Sequence, residues 1–404
     1  MSGSFTDPSM RKAGPGHASG SGDRLRIGML GTYPPTECGL ATFSAALRSG
    51  MSHDESGQHS CDIVRLVDRP QGDGGPEVVA ELQRGSVSSI AAAVDALNQL
   101  DATIIQHEYG IFDGEDGEEV LKIVEDLEGP VIVVLHTVLD DPSPNQRRII
   151  ESLAASVDSL VTMTRTAQRR LRDYDLDMTK VSVIPHGAHP PAPDLDVEAA
   201  AAADTEAPTI LTWGLLGPGK GIEWVVEAMA QLKDLDNAPR YQVVGKTHPK
   251  VLEEHGEQYR SSLEDRAAEL GIAHLVEFVD NYSDRAELQR RIAAAHVVVL
   301  PYDSVDQVTS GVLVEAVASS KAVVSSSFPH AVELLGGGVG LLVPRHDPDA
   351  IADALRRILS DPALHQRMVD GAAALAPSLS WTAVGGQYRS LADNLLRGRA
   401  TAVA

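Results

Sequence analysis

A chain of 404 residues is longer than the size at which a single hydrophobic core usually stops growing, so its length predicts two domains. Its 57 acidic and 34 basic residues give a formal net charge of −23, which argues against a protein whose main task is to bind nucleic acid or an anionic membrane. Cys38 and Cys61 are too few for a disulfide framework and lack the spacing of a zinc site, so a reducing cytoplasm is the expected setting.

Residues 1–23 are rich in Ser, Gly, Pro and charge and are predicted to be a disordered tail. From Arg26 onward, short apolar runs alternate with longer helical patterns, which is typical of α/β domains with parallel sheets. We expect residues 24–190 to form the first such domain. Its strand candidates are residues 26–30, 62–67, 102–106, 131–135, 159–162 and 181–184.

A change of composition at residues 191–207 predicts a linker between the domains. The second α/β domain is expected at residues 208–375. Its strand candidates are residues 209–213, 240–244, 275–279, 297–300, 322–325 and 340–343, and its helical patterns are at 223–232, 259–270, 286–295, 312–319 and 349–359. Residues 376–404 contain a last helical stretch, which is expected to pack back on the first domain.

The segment from Thr212 to Gly221, Thr-Trp-Gly-Leu-Leu-Gly-Pro-Gly-Lys-Gly, follows a predicted strand and opens a predicted helix. Backbone amides freed by small residues such as Gly217, the positive end of the helix and the ammonium group of Lys220 together make a candidate anion site. The alternative is an ordinary Pro-Gly turn that carries a solvated lysine. The spacing matches neither a P-loop nor Gly-x-Gly-x-x-Gly, which argues against an NTPase and a dehydrogenase.

A second helix start with a similar layout lies further along the chain. Small residues at 309–311 precede the predicted helix, and the carboxylate of Glu315 follows one turn later. A carboxylate there can accept hydrogen bonds from ribose hydroxyls beside a phosphate held at the helix start. The alternative is a glutamate that the helix dipole favours. Gln307 is a candidate for bonding sugar hydroxyls, and the two helix starts together suit a nucleoside-diphosphate ligand.

These motifs resemble those of a known family. Gly-Leu-Leu-Gly-Pro-Gly-Lys-Gly resembles the Gly-Arg-Leu-x-Pro-x-Lys-Gly segment of retaining GT-B glycosyltransferases of family 4. Residues 301–316 resemble their Glu-x7-Glu segment, and Val183–Gly187 resembles their Val-Ile-Pro-Asn-Gly motif. The resemblance covers residues 26–395. It implies an α/β, GT-B fold: two Rossmann-like, doubly wound domains facing a central cleft, with a C-terminal helix that crosses back to the first domain.

The same resemblance implies a role for each matching residue. Lys220 holds the donor diphosphate and acts in catalysis as this group leaves, while Glu315 binds the ribose. Thr309, Ser310 and Gly311 supply hydrogen-bond donors to the phosphates. The implied reaction moves a hexose from a nucleoside-diphosphate sugar to a hydroxyl acceptor with retention of configuration.

Three positions depart from the family pattern. The phosphate-binding arginine of the family aligns with Leu215, so either another basic residue substitutes or turnover is weaker. The first motif glutamate aligns with Gln307, which still bonds to sugar hydroxyls but brings no charge. His186 stands where asparagine is commoner, and we interpret it as structural.

In the first domain, Gly31–Thr42 resembles the flexible glycine-bearing loop of the family, and Gly39 would let the backbone approach the diphosphate. The alternative is a plain loop between a strand and a helix. His136 directly follows the strand candidate 131–135, at the position where the family carries a histidine beside the donor sugar, so it is a catalytic candidate. The candidates for the acceptor side follow another strand and are His107, Glu108 and Asp113.

No cluster of His, Asp and Glu in the sequence shows the ligand spacing of a divalent metal, and the family relies on helix dipoles and cations, so neither a metal nor a cofactor is expected. The donor is expected to be of the GDP-mannose or UDP-glucose type. The acceptor is a sugar, a glycan or a lipid-linked glycan, as in polysaccharide biosynthesis, with no nucleic acid partner and at most peripheral membrane contact. Two alternatives stay open: a sugar-nucleotide epimerase of the same fold, and a non-catalytic nucleotide-sugar-binding protein derived from a transferase.

Overall fold

The computed structural model of the chain describes residues 25–52, 59–72, 74–189, 207–280 and 285–403. The tail expected at residues 1–23 lies outside the described residues, and so does all but the last residue of the linker expected at 191–207. The described residues form two units. The first unit contains the described residues up to Pro185 together with those from Trp381 onward, and the second unit runs from His186 to Ser380.

The first unit is built on seven described strands: β1 Arg26–Gly31, β2 Ser60–Val67, β3 Val78–Gln83, β4 Ala102–His107, β5 Val131–Leu135, β6 Ser159–Thr162 and β7 Val181–Val183. They form a parallel sheet in the order β3-β2-β1-β4-β5-β6-β7. The central strands are continuous apolar runs because a parallel sheet is covered on both faces. The strand order reverses between β1 and β4, where the loops that follow the strands diverge and leave room for a ligand.

The predicted strands of this unit are confirmed, but β3 is not among them. Its sequence, Val-Val-Ala-Glu-Leu-Gln, lies at the edge of the sheet and is mostly half-exposed, so it lacks the apolar run that marks the other strands. An ion pair between Glu81 of β3 and Arg65 of β2 helps to fix this strand, and the Arg65 side chain is fully buried. Arg65 also donates from Nη1 to the carbonyl oxygen of Pro34 at 3.1 Å. A pairing of this kind is invisible in a local sequence window.

The second unit is built on six described strands: β8 Thr209–Trp213, β9 Arg240–Val244, β10 Val276–Val279, β11 Val297–Leu300, β12 Ala322–Ser326 and β13 Gly340–Val343. They form a parallel sheet in the order β10-β9-β8-β11-β12-β13, and every one of these strands is among those predicted. The order reverses between β8 and β11. The loops after these two strands are therefore the ones expected to border a ligand.

Helices connect the strands of both units. Those of the first unit are α1 Gly39–Ser52, α2 Val87–Leu97, α3 Glu119–Glu125, α4 Pro144–Ser156 and α5 Arg165–Arg170. Those of the second unit are α6 Ile222–Ala230, α7 Pro249–His255, α8 Gln258–Glu269, α9 Arg285–Ala294, α10 Gly311–Ala318, α11 Pro329–Leu335, α12 Pro348–Ser360 and α13 Pro362–Leu379. The five helices predicted for this unit are confirmed as α6, α8, α9, α10 and α12.

The last helix, α14 Trp381–Val403, packs against α1 in the first unit, as the sequence predicts. The two helices cross at a point where neither has room for a side chain. A Cβ atom added to Gly50 would lie 2.1 Å from the carbonyl oxygen of Trp381, and one added to Gly385 would lie 2.4 Å from the carbonyl carbon of Gly50. Further along α14, Arg399 donates to both carboxylate oxygens of Asp158, at 2.9 and 2.8 Å.

The α/β fold with two Rossmann-like, doubly wound sheets is therefore confirmed. Among the described helices, none combines the length and the apolar character that crossing a lipid bilayer requires. Cys38 is half-buried and Cys61 is buried, and both are free thiols.

Candidate functional site

The Lys220 turn follows β8 and leads into α6. We give this name to residues Gly217–Lys220, in which the amide of Lys220 donates to the carbonyl oxygen of Gly217 at 3.2 Å. The next residue, Gly221, has a φ of 68° and is the N-cap of α6. A Cβ atom there would lie 2.0 Å from the carbonyl oxygen of Pro301, so only glycine lets the two loops touch. The glycines of this motif therefore bring together the loops that follow β8 and β11.

The side chain of Lys220 lies over an aromatic ring. Its Nζ is 4.7 Å from the centre of the Tyr302 ring, a distance at which a cation and a π-system attract each other. Tyr302 is buried and packs against Phe328, with 5.4 Å between the ring centres. Burial lowers the pKa of Lys220, and no charged group of a described residue offsets this effect. The ammonium group is thus held in place and incompletely neutralised, which suits it to bind an anion.

The start of α10 lies next to the same tyrosine, since the side chain of Ser310 is hydrogen-bonded with that of Tyr302. Ser310 is the N-cap of the helix: its Oγ accepts from the amide of Leu313 at 3.3 Å. The amide of Ser310 donates to Nδ1 of His330 at 2.8 Å. Ser310 is only 3% exposed, and its amide and its hydroxyl oxygen are both hydrogen-bonded inside the protein. These contacts shape the helix start and use the amide of Ser310, and the role of its hydroxyl toward a phosphate stays a prediction.

The neighbours of Ser310 are better placed to meet a ligand. The Oγ1 atom of Thr309 is buried and has no hydrogen-bond partner among the described residues, which leaves a hydroxyl to be satisfied. Gly311 is the first residue of α10, and a Cβ atom there would lie 2.9 Å from Nε2 of His186. The His186 ring, which interacts through Nδ1 with the Gly187 carbonyl oxygen at 2.6 Å, thus packs on the helix start. Burial lowers the pKa of His186 to about 4 and keeps this ring neutral.

Glu315 lies one turn into α10. Its Oε2 accepts a hydrogen bond from Nε1 of Trp213, the last residue of β8, at 3.3 Å. Burial raises the pKa of Glu315, while the Trp213 hydrogen bond and the charge of Arg285 oppose this rise. The carboxylate is thus fixed at the carboxyl edge of the sheet, with its second oxygen outside the Trp213 bond. The Lys220 turn, the start of α10 and Glu315 all lie where the strand order of the second unit reverses.

Gln307 belongs to the same loop as Thr309 and Ser310. Its amide donates to Oγ of Ser304 at 3.0 Å, and its carbonyl oxygen accepts from the amide of His330 at 3.3 Å. The backbone of this residue is therefore fixed on both sides. Its side-chain role toward a sugar stays a prediction.

In the first unit, His136 is held by two neighbours at the end of β5. Its Nε2 lies 2.8 Å from Oε1 of Gln106, and its ring meets Phe43 edge-on with 4.7 Å between the ring centres. Because an amide oxygen only accepts, we assign the proton of this contact to Nε2. The contact with Gln106 thus orients the ring of the histidine that the sequence marks as a catalytic candidate.

The three acceptor-side candidates have different surroundings, and their role toward an acceptor stays a prediction. His107 is fully buried, and its ring nitrogens have no partner among the described residues; burial lowers its pKa to about 4. The carboxylate of Glu108 is hydrogen-bonded within the first unit, where its Oε2 accepts from Oγ1 of Thr137 at 2.6 Å. Burial raises the pKa of Glu108. Asp113 is exposed, and its amide donates to Glu119 at 3.1 Å. None of the three candidates lines the cavity found in this unit.

That cavity has a volume of about 450 Å³ and lies at the carboxyl ends of β1, β2 and β4. Its lining residues are Thr32, Thr36, Leu66, Val67, Asp68, Arg69, Pro70, Gln71, Arg84, Gly110 and Ile111. Arg84 donates to Asp68 at 3.0 Å and to the carbonyl oxygen of Phe112 at 3.3 Å. The signal that sequence reasoning missed is the polar run Asp68-Arg69-Pro70 directly after β2.

Gly39 lies at the first position of α1 and is exposed, and a Cβ atom added to it would meet nothing within 4 Å. Packing inside the first unit therefore does not require glycine there, and its role toward a diphosphate stays a prediction. Across the described ranges, no three His, Cys, Asp or Glu side chains are grouped so that they would hold a metal ion.

Comparison with known proteins gives a consistent result. Residues 196–374 match the family model described as Glycosyl transferases group 1. The D-inositol 3-phosphate glycosyltransferase of Corynebacterium glutamicum is 30% identical over 269 residues, which are 64% of this chain and 62% of that protein. The protein of the same name from a Nocardioides species is 31% identical over 259 residues, 60% of this chain and 55% of that protein. The chain thus spans about three fifths of the length of the curated relatives it matches.

Solved structures share the fold. Sucrose-phosphate synthase from Thermosynechococcus elongatus superposes with a TM-score of 0.72 at 19% identity, over 93% of this chain and 100% of that chain. HepE of Anabaena, solved in complex with UDP and glucose, gives a TM-score of 0.70 at 16% identity, over 92% of this chain and 100% of that chain. Residues 196–374 are thus similar to the glycosyl transferases group 1 family, and the chain shares the GT-B fold of these solved structures.

Proposed function

We propose that the chain is a glycosyltransferase of the family 4 type, which transfers a hexose from a nucleoside-diphosphate sugar to a hydroxyl acceptor and retains the configuration at the anomeric carbon. The family match and the names of the curated relatives support a transferase. The observation that carries the proposal is the placement of Lys220, held over the Tyr302 ring beside the start of α10 with no charged partner among the described residues.

The donor in this proposal is a sugar nucleotide of the UDP-glucose or GDP-mannose type. Structures of HepE with UDP and with UDP-glucose share the fold of this chain. Lys220, the amide of Gly311 and the orphan hydroxyl of Thr309 would bind the diphosphate. The free oxygen of Glu315 would accept hydrogen bonds from the ribose hydroxyls, and Gln307 would contact the sugar.

Catalysis in this proposal is electrostatic. As the bond between the anomeric carbon and the diphosphate oxygen breaks, negative charge grows on that oxygen, and Lys220 and the helix start stabilise it. The acceptor oxygen forms the new bond on the same face, and its proton passes to the departing diphosphate. No protein nucleophile is needed. The reaction proposed here also needs no metal ion or further cofactor, because the lysine and the helix dipole supply the positive charge.

The acceptor would meet the first unit. His136, oriented by its contact with Gln106, is the residue we propose to lie beside the donor sugar. The curated relatives are named for a phosphorylated acceptor, and the cavity of the first unit carries Arg69 and Arg84, two cations that suit an anionic acceptor. The two free thiols are in keeping with a reducing cytoplasm as the setting of the reaction.

Turnover by a Lys220 variant tests the proposal. The protein is incubated with UDP-glucose or GDP-mannose and with inositol or inositol 3-phosphate, and the released nucleotide and the products are measured. We expect Lys220→Ala to lower kcat by about 100-fold, the usual effect of removing a group that stabilises a developing oxyanion. Lys233→Ala, which removes the same charge from an exposed position, serves as the control and should behave like the parent.

Three outcomes contradict the proposal in different ways. Equal turnover of the parent and Lys220→Ala places the chemistry elsewhere. Conversion of the sugar nucleotide to an isomer without an acceptor identifies an epimerase. Binding of nucleotides with no consumption of any donor identifies a non-catalytic binding protein, in which Leu215 and Gln307 record the loss of activity.

A further inference from the structure

We propose that His346 is a positioning residue for Lys220, which it holds in place through Asp303. His346 lies in the connection between β13 and α12, far from the motifs that the sequence singles out. The inference rests on the proposed nucleotide-sugar site, because it assigns a role to a residue that touches no ligand itself. Two sets of contacts and one backbone conformation, all in the second unit, support this inference.

The first set joins the Lys220 turn to the loop after β11. The amide of Asp303 donates to the carbonyl oxygen of Gly219, inside the turn, at 3.0 Å. Directly beside it, the backbone at Gly221 touches the carbonyl oxygen of Pro301. The ring that lies under the lysine belongs to Tyr302, between these two contacts. The segment Pro301–Asp303 is therefore a platform that fixes the position of the Lys220 turn and supports the Lys220 side chain.

The second set fixes the platform itself. Oδ1 of Asp303 lies 2.9 Å from Nε2 of His346 and accepts from Nε1 of Trp224 at 3.2 Å. The carbonyl oxygen of Asp303 accepts from Nη1 of Arg345 at 3.0 Å. Asp303 is thus held at its carboxylate by two rings and at its carbonyl by the residue next to His346. Its remaining backbone group, the amide, faces the Lys220 turn.

The third observation is the backbone of His346. Its φ is 58°, in the left-handed region that glycine adopts freely and that residues with a Cβ atom adopt in only a few per cent of cases. A glycine would be relaxed there, whereas histidine adds a side chain whose contacts are the Asp303 carboxylate and the Trp224 ring, 5.3 Å away between ring centres. Backbone strain that is retained together with such contacts points to a role for the side chain.

These contacts would affect ligand binding because the side chain of Lys220 itself makes few contacts with the protein. Its ammonium group is fixed by the turn and by the Tyr302 ring, so a shift of the platform moves the charge directly. A charge displaced by 1 Å loses much of its effect on a transferred group. Loss of the His346 contact should therefore weaken interactions with the diphosphate and spare those with the rest of the nucleotide.

The test compares two substitutions at left-handed backbone positions. His346→Gly relieves the strain and removes the ring, and Ser320→Gly relieves the same kind of strain, with no ring to lose, at a residue with a φ of 56° after α10. Binding of UDP and of uridine is measured by calorimetry, with GDP and ADP as further probes. We expect His346→Gly to weaken UDP binding by about tenfold, as partial loss of a charge-assisted hydrogen bond does, and to leave uridine binding unchanged. Ser320→Gly should bind both like the parent.

A second variant separates geometry from charge. Asp303→Asn keeps a side-chain oxygen that accepts from both rings, which Asp303→Ala loses, so Asp303→Asn should bind UDP more tightly than Asp303→Ala does. Thermal unfolding of every variant shows whether the fold is intact.

The inference is overturned if His346→Gly binds UDP like the parent, or if it weakens UDP and uridine binding equally. The proposed function survives that result as long as Lys220→Ala loses affinity for UDP. A parent protein that binds none of UDP, GDP and ADP overturns both.

Discussion

Protonation of a single histidine should loosen the start of α10 in acid. His330 is 5% exposed, and its Nδ1 accepts the hydrogen bond from the amide of Ser310, the N-cap of that helix. Burial, with a smaller contribution from His186, lowers the pKa of His330 to about 4. A protonated ring cannot accept this bond, so acid removes the contact that fixes the candidate phosphate site.

The sign and the size of the effect follow from the two pKa values. In the unfolded chain the pKa of a histidine is about 6.5, so the unfolded state binds more protons than the folded state between about pH 6.5 and about pH 4. The stabilisation is fully present above the higher value and is lost as the pH falls through the lower one. Between pH 7 and pH 5, His330 alone should lower the free energy of unfolding by about 2 kcal/mol.

The assay is urea unfolding of the parent and of His330→Asn at pH 7 and pH 5. An asparagine oxygen takes the place of Nδ1 as an acceptor and does not titrate. A Trp381→Phe background leaves Trp213 and Trp224 as the fluorescent reporters, both in the second unit. Because other buried histidines also titrate, the informative quantity is the difference between the two proteins: His330→Asn should lose about 2 kcal/mol less than the parent. Equal losses would refute the reasoning.

Four further substitutions have distinct expected outcomes. Gly50→Ala should lower the stability of the first unit by about 1–3 kcal/mol through overpacking, whereas Gly398→Ala, in the same helix pair but with open space around it, should raise stability by about 0.5–1 kcal/mol in thermal unfolding. Arg399→Ala should cost about 1 kcal/mol, because the bidentate pair with Asp158 is partly exposed; a loss above 3 kcal/mol would contradict this. Leu215→Arg should tighten UDP binding by about tenfold in calorimetry, and an unchanged affinity would show that this position does not face the diphosphate.

The parts of the fold that could be predicted are those that a local sequence window records. Parallel strands covered on both faces are continuous apolar runs, so β4, β5, β8 and β11 are recognisable without any contact information. Lys220 and Glu315 are recognisable for a related reason, because both stand at helix starts that follow such runs.

What could not be predicted depends on contacts between distant residues. β3 lies at an edge, and one of its partners is the buried Arg65. His346 matters through Asp303, which is more than forty residues away in the sequence. His107 is the opposite case: a polar residue after an apolar run favours a surface position, yet it is the last residue of β4 and is fully buried. Side-chain direction at a strand end depends on a shift of one residue, which a pattern of residue types does not fix.

The two charged groups of the candidate site share an electrostatic property that links binding to stability. Burial lowers the pKa of Lys220 and raises that of Glu315, so the folded second unit disfavours the charged form of both. The Tyr302 ring stabilises the ammonium group of Lys220. The indole N–H of Trp213 and the charge of Arg285 stabilise the carboxylate of Glu315. Each charge is therefore incompletely compensated. A ligand that brings phosphates to the lysine and hydroxyl donors to the glutamate compensates both. Such a ligand should therefore stabilise the second unit, by about 2.7 kcal/mol at one hundred times its Kd. The burial that disfavours these two charges during folding is thus also what would favour a ligand that carries both phosphates and hydroxyl groups.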